Sequence, residues 1–435
     1  MEMKKLSAGL MAGLMALSMA GCGGSGNSSS GSTAGSSAAA GSQAAGSEEA
    51  KTVTMTVSGP SEDQTSEADP NKGWLQEQCE AFAALHPNWN ITFEYKVIPE
   101  GSAGDELAKD PAAGPDVYLY ASDQIGRLIE KNAISRFGGA NLDVINESTD
   151  PSLVNTVTYN DGVYGVPFTS NTWFMYYNNE TFSEEDVKNL NTMLEKGTVT
   201  FPIDNFWYSA SFFYGAGCTM FGENGTDLSA GVDFDNENGL KALNYLIDLV
   251  NNPNFVNDGV GTGIGLSKVR DGSAGDFFSG TWDYDAVAGD LGDKLGIAGA
   301  PSYDLDGTAT PLRAYLTSKA IGVNPNTSDP EVANALALYL GGKDAQKAHW
   351  EQRSIVPCNL ELLEEPDIAS SALVTAQNDT VSNAVPQPSF SAMANIFTYG
   401  ENFGKSVVSG EVTKDNAASK LTDWNKQMND AAKAE

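Results

Sequence analysis

Along most of the chain, apolar residues recur with two different periods. Residues 52–57 alternate polar and apolar side chains, as a half-buried strand does, and residues 90–97 repeat this pattern. Between them, residues 73–85 carry apolar side chains at helical spacing and stop before a His-Pro pair. A short apolar run at 116–120, after a Gly-Pro turn, predicts a third strand. This alternation predicts an α/β protein with parallel strands.

Three later segments carry signals for the start of a helix. Asp235 or Asn236 can cap a helix whose apolar residues keep the helical period up to residue 250. The segment 328–330, Ser-Asp-Pro, predicts another start, because proline in the first turn loses no hydrogen bond. Residues 413–434 predict an amphipathic C-terminal helix that contains Trp424.

The N-terminus predicts secretion followed by lipid anchoring. Residues 1–5 include two lysines, residues 6–19 are uncharged and largely apolar, and Ala-Gly precedes Cys22. This arrangement is typical of a signal peptide, here residues 1–21. The Ala-Gly-Cys sequence resembles the bacterial lipobox, which implies cleavage before Cys22 and lipidation of that cysteine. An ordinary signal peptide with a coincidental cysteine is the alternative.

Composition then divides the remaining chain. Residues 22–50 are almost entirely Gly, Ser and Ala and predict a flexible tether. About 385 residues follow, more than one hydrophobic core normally serves, so we expect two lobes. The net charge of −32 repels a phosphate backbone, which excludes nucleic acid as a partner. No segment after the signal peptide is long and apolar enough to predict a membrane span.

Residues suited to catalysis or metal binding are sparse. His86 and His349 are the two histidines, and neither lies in a nucleophile or metal-ligand motif. Cys79, Cys218 and Cys358 have wide spacings that predict buried free thiols, with one disulfide as the alternative. We therefore expect no enzyme activity, no cofactor and no metal site.

Acidic residues leave two alternatives to this interpretation. The segment 233–237, Asp-Phe-Asp-Asn-Glu, weakly resembles a calcium loop, but its glycine is misplaced, and a capped helix explains it better. Abundant carboxylates could also hide a glycosidase pair.

Aromatic residues near predicted loops suggest a sugar site. Aromatic rings bury the flat faces of sugars, while amides and carboxylates bind the hydroxyl groups. The candidates are Trp207, Tyr208, Trp282, Tyr284, Tyr118, Tyr120 and Trp173. Packing in the core is the alternative use, which we expect for Trp74, Trp89, Trp350 and Trp424.

An ordered series of segments resembles one known family. These segments lie at residues 114–123, 159–167, 176–179, 239–252, 278–282 and 320–324. Together they span residues 52–432 and are similar to the maltose/maltodextrin-binding branch of bacterial extracellular solute-binding proteins. The resemblance implies a two-lobe periplasmic-binding-protein fold of type II-like topology. Its lobes would comprise residues 51–168 with 318–365 and residues 172–314 with 366–435, joined by chain crossings near 169–172, near 315–317 and after about 363.

The resemblance also implies a binding site. Trp282 matches a stacking tryptophan in a Gly-x-Trp turn, Trp207 or Tyr208 matches a second stacking aromatic, and Asp123 matches a hydroxyl-binding aspartate. Tyr120 stands where a first-lobe tryptophan is usual, and we add Tyr284 as a neighbouring candidate. Three positions depart from the family pattern: Asn171 stands for a glutamate, Gln124 for a basic residue, and Glu62 with Asp63 for an Asp-Lys pair. The tryptophan expected after Pro386-Gln387 is also missing, and Phe397 or Tyr399 could substitute for it.

These features predict the substrate-capture subunit of a bacterial ABC importer. The expected protein is a monomer, lipid-anchored on the outer face of the cell membrane, that closes on an oligosaccharide and is recognised by permease subunits. A maltooligosaccharide or related glycan is the expected ligand. The alternatives are a sensory or adhesive carbohydrate-binding lipoprotein and a surface glycoside hydrolase.

Overall fold

The structure is a computed structural model that describes residues 50–66, 69–259 and 263–433. The predicted signal peptide, Cys22 and nearly all of the predicted tether lie outside the described residues. No helix in the described ranges is long and apolar enough to cross a membrane.

Strands and helices alternate through the described chain. The strands are β1 (Lys51–Gly59), β2 (Trp89–Val97), β3 (Val117–Ala121), β4 (Thr158–Tyr159), β5 (Gly162–Val163), β6 (Val166–Asn171), β7 (Phe174–Asn178), β8 (Val199–Phe201), β9 (Thr219–Met220), β10 (Val232–Asp233), β11 (Phe255–Asn257), β12 (Asp276–Ser279), β13 (Leu295–Ala298), β14 (Ser302–Leu305), β15 (Thr308–Pro311), β16 (Tyr315–Val323) and β17 (Val385–Pro386).

The helices connect these strands and cover the larger sheets. They are α1 (Trp74–Leu85), α2 (Ala103–Lys109), α3 (Ile125–Glu130), α4 (Ala140–Ser148), α5 (Pro151–Thr156), α6 (Leu190–Lys196), α7 (Phe206–Gly215), α8 (Glu237–Val250), α9 (Ile264–Asp271), α10 (Tyr284–Leu291), α11 (Pro330–Leu340), α12 (Lys343–Arg353), α13 (Leu360–Leu363), α14 (Pro366–Ala369), α15 (Ala372–Asn383), α16 (Met393–Val408) and α17 (Ala417–Ala432). The predicted α/β alternation is confirmed.

The largest sheet has the order β17-β16-β3-β1-β2, with β6 also paired to β16. Strands β1, β2 and β3 are parallel, as predicted, whereas β16 runs antiparallel to β3 and β6. A second sheet places β7 between β12 and β13, and both neighbours are antiparallel to it. The prediction of parallel strands is therefore wrong for this sheet. Hydrophobic period shows which face of a strand is buried but carries no information about strand direction.

Two separate hydrophobic cores define two lobes. The first is built from residues between Val53 and Phe168 together with residues between Ala320 and Ile355. The second draws on chain from Trp173 onward and on the C-terminal helices. The alternating side chains of β7 divide between two clusters, because its neighbours along the strand face opposite sides of the sheet. Val356 and Leu362 belong to the cluster on the far side of this second-lobe sheet.

The crossing segments lie side by side between the two cores. Strand β16 pairs with β6 on one side and, through Tyr315 and Leu316, with β17. Both crossings predicted near 169–172 and 315–317 thus lie on adjacent paired strands, with β17 next to them.

Local sequence signals explain several elements. The side chain of Asn236 accepts a hydrogen bond from the Gly239 amide at 2.9 Å and caps α8, as the capped-helix interpretation predicted. Asp329 caps α11 through the Val332 amide at 3.1 Å. The three cysteines of the described chain are buried free thiols, which confirms that prediction.

Candidate functional site

A cavity of about 420 Å³ lies between the lobes, where strands β3, β6 and β16 approach the start of α7. Its lining comes from both lobes and from the crossing strands: Glu100, Gly101, Ala121, Asp123, Asn171, Asn205, Trp207, Tyr208, Trp282, Lys319, Phe397 and Glu401. Five residues predicted from the sequence are therefore brought together here: Asp123, Asn171, Trp207, Tyr208 and Trp282.

Two tryptophans form the aromatic wall of this cavity. The ring centroids of Trp207 and Trp282 are 6.2 Å apart, and the rings are tilted by 50°. Trp282 remains 36% exposed, in contrast to most large apolar side chains of the protein. A Cβ atom on Gly280 would lie 2.1 Å from the Trp282 ring. The glycine of the Gly-x-Trp pattern is thus required by the ring that folds back over it.

Tyr208 supports the aromatic wall from behind. It is 9% exposed and packs on the fully buried Trp173, with ring centroids 5.7 Å apart. Burial, together with the nearby Asp283 carboxylate, raises the pKa of the Tyr208 hydroxyl well above its usual value. The hydroxyl therefore stays protonated and able to donate a hydrogen bond at neutral pH.

Polar groups line the same cavity as the aromatic wall. Asp123 follows β3 and accepts a hydrogen bond from Gln124 Nε2 at 3.1 Å. Desolvation by the surrounding protein raises the pKa of the Asp123 carboxyl, although the residue keeps access to solvent in the cleft. On the crossing strands, Asn171 Nδ2 donates to Thr317 Oγ1 at 3.0 Å. Carboxylate and amide groups of this kind can bind hydroxyls in a directed way.

An ion pair at the edge of the cavity was missed by sequence reasoning. Lys319 Nζ lies 3.2 Å from Glu100 Oε1 and 5.8 Å from the centroid of the Trp282 ring. Both charged side chains are largely buried. The available signal was a lysine in the middle of the apolar strand β16, where an unpaired charge would be costly. Glu401 on α16 was also missed, whereas Phe397 on the same helix was named as a possible substitute for the missing tryptophan.

A second cavity of about 180 Å³ shares Glu100, Trp282 and Lys319 with the first. Glu62 and Asp63 line it, as predicted for the cleft. Asp63 is nevertheless buried, and its carboxylate lies 2.9 Å from His349 Nε2.

Burial alone would raise the pKa of the Asp63 carboxyl, but His349, Lys319 and Arg353 outweigh it and lower that pKa. His349 is itself buried and stacked on Trp74, with ring centroids 4.0 Å apart. The Asp63 carboxylate is thus engaged within the protein, whereas Glu62 is exposed.

The structure corrects two predicted site residues. Tyr120 is fully buried, and its hydroxyl donates to the Tyr164 carbonyl within the first lobe. All five residues of β3 are buried, so both faces of the strand are covered, and the next residue, Ala121, lines the cavity instead. Tyr284 is the first residue of α10 and packs against the cluster behind the second-lobe sheet.

Gln124 lies in an adjoining cavity of about 390 Å³, which also contains Asp123 and Phe397. Of the two candidates for the missing tryptophan, Phe397 lines both this cavity and the main one. Tyr399 packs against the second-lobe core.

Two α/β lobes, paired crossing strands and a cleft lined with aromatic, carboxylate and amide groups define the class of two-lobe solute-binding proteins. Residues 77–376 match the family model described as bacterial extracellular solute-binding protein. The chain belongs to this family, as the sequence resemblance predicted.

Individual relatives agree with this assignment. The galactooligosaccharide-binding protein of Bacillus subtilis strain 168 is 22% identical over 83% of this chain and 91% of its own length. A solved structure described as determined with acarbose is 43% identical, has a TM-score of 0.83, and covers 87% of this chain and 98% of its own. The maltodextrin-binding protein MalE1 of L. casei BL23 is 19% identical with a TM-score of 0.79, covering 86% and 98%. These relatives are binding proteins, and the two-lobe fold is confirmed.

Proposed function

We propose that this protein is the substrate-capture subunit of a bacterial ABC importer and that it closes on an oligosaccharide. The observation that carries the proposal is the tilted pair Trp207 and Trp282, which lines the same cavity as Asp123 and Asn171. Aromatic rings together with hydroxyl-binding groups suit a ligand with flat apolar faces and polar edges, which describes a pyranose.

The proposed mechanism is binding followed by closure, without catalysis. The lobes would be those expected from the sequence, residues 51–168 with 318–365 and 172–314 with 366–435. Because Val356 and Leu362 pack in the second lobe, the segment 318–365 of the first lobe would end nearer residue 355. A ligand that contacts both lobes favours the closed form by its differential affinity. Permease subunits in the membrane would recognise that form of the monomer.

Relatives guide the choice of ligand. Their names include galactooligosaccharide and maltodextrin, and one solved structure was determined with acarbose. All three are oligosaccharides or close mimics of one. We therefore propose a maltooligosaccharide or related glycan as the ligand.

Calorimetric titration over a panel of malto- and galactooligosaccharides tests the proposal. The expected result is binding of at least one member with Kd in the micromolar range, about −8 kcal/mol. A parallel rise in the melting temperature is expected, because a ligand of the folded state stabilises it. A panel that leaves both measurements unchanged would contradict an oligosaccharide-binding role.

We also propose that lipidated Cys22 anchors the protein to the outer face of the cell membrane. Multiple acyl chains hold a protein stably where a single chain would not. The Cys22→Ala variant is expected to leave the membrane fraction, while its affinity for the ligand stays that of the wild type. Fractionation of cells followed by titration of the released protein measures both. Retention of the secreted variant on membranes would rule out this anchor.

A further inference from the structure

Gln387 contacts the aromatic wall from the crossing segment of the second lobe. It directly follows β17, and its Oε1 accepts a hydrogen bond from the indole Nε1 of Trp207 at 3.1 Å. The two residues are 180 positions apart in the chain. The side chain of Gln387, next to β17, is thus hydrogen-bonded to the Trp207 ring, which lines the cleft.

The orientation of the Gln387 amide follows from hydrogen-bond chemistry. An indole N–H can only donate, so the amide oxygen must face it and the amide nitrogen must point elsewhere. That nitrogen, Nε2, is buried and has no hydrogen-bond partner in the described protein. A buried unsatisfied donor costs stability. The presence of an amide at position 387 is therefore better explained by its bond to Trp207 than by its packing.

The backbone around Gln387 is held firmly. The Val385 amide donates to the Ala314 carbonyl at 2.9 Å, and the Gln387 amide donates to Leu316 at 3.2 Å. Both acceptors lie at the start of the crossing strand β16 or just before it. The hydrogen-bond acceptor offered to Trp207 is therefore fixed relative to the crossing strands.

The Trp207 ring needs such an acceptor. The Asn205 cap fixes the backbone of Trp207 in the first turn of α7, with a hydrogen bond of 3.1 Å to its amide. This cap leaves the side-chain torsions free. Packing against the second-lobe core and an edge contact with Tyr208, with ring centroids 5.0 Å apart and planes at 85°, restrain the ring. The indole bond to Gln387 adds a directional restraint on its N–H.

We propose that Gln387 is a positioning residue for ligand binding, which acts by holding the Trp207 indole at its tilt against Trp282. This inference rests on the proposed oligosaccharide-binding function. It assigns to the crossing segment a part in shaping the cleft, although Gln387 is not among the residues that line the main cavity. Loss of the bond would let the Trp207 ring rotate away from its tilt against Trp282. Fewer protein molecules would then present both rings to the ligand, and binding would weaken.

A double-mutant cycle with maltotetraose as the calorimetric probe tests this proposal. Gln387→Met keeps the approximate size of the side chain but lacks the acceptor, and Trp207→Phe keeps a ring but lacks the N–H donor. We expect Gln387→Met to weaken binding about three- to tenfold in the wild-type background, the scale of one hydrogen bond. In the Trp207→Phe background the same change is expected to have no further effect.

Gln387→Glu is the conservative control, because it retains an oxygen acceptor at the same distance from the backbone. It is expected to bind maltotetraose more tightly than Gln387→Met, and this comparison decides the matter if Trp207→Phe binds too weakly to measure. Wild-type affinity in Gln387→Met, equal weakening in both backgrounds, or equal affinity of the Met and Glu variants would each overturn the proposal. Failure of the wild type to bind any sugar of the panel would instead overturn the proposed function.

Discussion

At the residue scale, the surroundings of each tryptophan decide its use. Trp282 is 36% exposed and lines the cleft. Trp424, in α17, is 3% exposed and stacks on Phe403 with ring centroids 4.2 Å apart and planes 3° from parallel. The two residues have the same side chain and opposite environments, which makes them a matched pair for mutation.

Trp282→Ala is expected to weaken oligosaccharide binding by about 2 kcal/mol, the scale of a binding hot spot. Its effect on the free energy of unfolding should be small, because an exposed ring contributes little to the core. Trp424→Ala should instead lower the free energy of unfolding by about 3–5 kcal/mol. Calorimetric titration and denaturant unfolding of both variants measure the difference. Wild-type affinity in Trp282→Ala would show that the cleft has been misplaced.

Asp276 is a second residue whose environment, rather than its identity, determines its behaviour. It is fully buried in β12, where Oδ1 accepts a hydrogen bond from the Thr200 amide at 2.9 Å and Oδ2 is unpaired. Burial raises the pKa of this carboxyl well above its usual value, against the effect of the Thr200 bond. Asp276 is therefore protonated in the folded protein at a pH where the unfolded chain has lost the proton.

The raised pKa of Asp276 predicts a pH-dependent effect of Asp276→Asn. Above the pKa of the unfolded chain, Asp276 is ionised in the unfolded state but still protonated in the folded state. Ionisation stabilises the unfolded state, so the free energy of unfolding of the wild type decreases as pH rises. The Asn variant lacks this loss. Its free energy of unfolding relative to wild type is expected to increase between pH 4 and pH 7, as measured by denaturant unfolding.

Asp186 provides the matched control for this experiment. It is a surface aspartate whose pKa is lowered, mainly by hydrogen bonds from Ser183. A lowered pKa contributes stability above the unfolded pKa and loses it as pH falls. That loss occurs at and below the unfolded pKa of about 3.9, so the difference between Asp186→Asn and wild type should be nearly constant between pH 4 and pH 7. A constant difference between Asp276→Asn and wild type would contradict the raised pKa of Asp276.

At the element scale, α8 shows how a short polar signal determines where a helix begins. Sequence alone allowed either Asp235 or Asn236 as the cap. In the structure Asn236 accepts from the Gly239 amide, whereas Asp235 accepts from the Thr422 hydroxyl of α17 at 3.0 Å. A Cβ atom on Gly239 would lie 1.9 Å from the Phe234 carbonyl oxygen, so that position requires glycine.

Asn236→Ala is expected to lower the free energy of unfolding by about 1 kcal/mol, the usual value of a helix cap. Asp235→Ala is the matched control, and it should change the free energy of unfolding by less, because its contact with Thr422 is exposed to solvent. Urea unfolding of both variants gives the comparison. An equal loss in the two variants would argue against Asn236 as the cap.

At the scale of the whole molecule, the proposed closure would bend the protein at the crossing strands. Strand β16 is paired with both β6 and β17, and Thr317 in β16 donates to the Asn171 carbonyl of β6 at 2.7 Å. A bundle of paired strands can bend while keeping its hydrogen bonds, which is a common basis of hinge motion between rigid lobes.

Ligand-driven closure predicts that a bound oligosaccharide makes the molecule more compact. Small-angle scattering with and without a saturating member of the panel should show a decrease in the radius of gyration. Trp282→Ala at the same ligand concentration is the control, since weaker binding should leave more protein in the ligand-free state. Saturation without compaction would indicate binding to a single lobe.

Sequence patterns predicted much of the local structure and part of the site. The strand at 52–57, the helix at 73–85 and the C-terminal helix all appear, because local periodicity reports which side of an element is buried. Trp282, Trp207 and Asp123 were found through their resemblance to family motifs, and all three line one cavity. Tyr120 was assigned in the same way and proved buried, because a motif position does not report which side chains the rest of the lobe covers.

The sequence by itself determined the α/β class, the first three strands and the helix between the first two of them, the start of the helix at Pro330, and the family. Only the tertiary structure decided the antiparallel second-lobe sheet, the Lys319–Glu100 ion pair and the bond from Gln387 to Trp207. Local periodicity and capping depend on neighbours a few residues apart, so the chain displays them directly. The later features join residues more than 90 positions apart, and such pairs are brought together only by the tertiary fold.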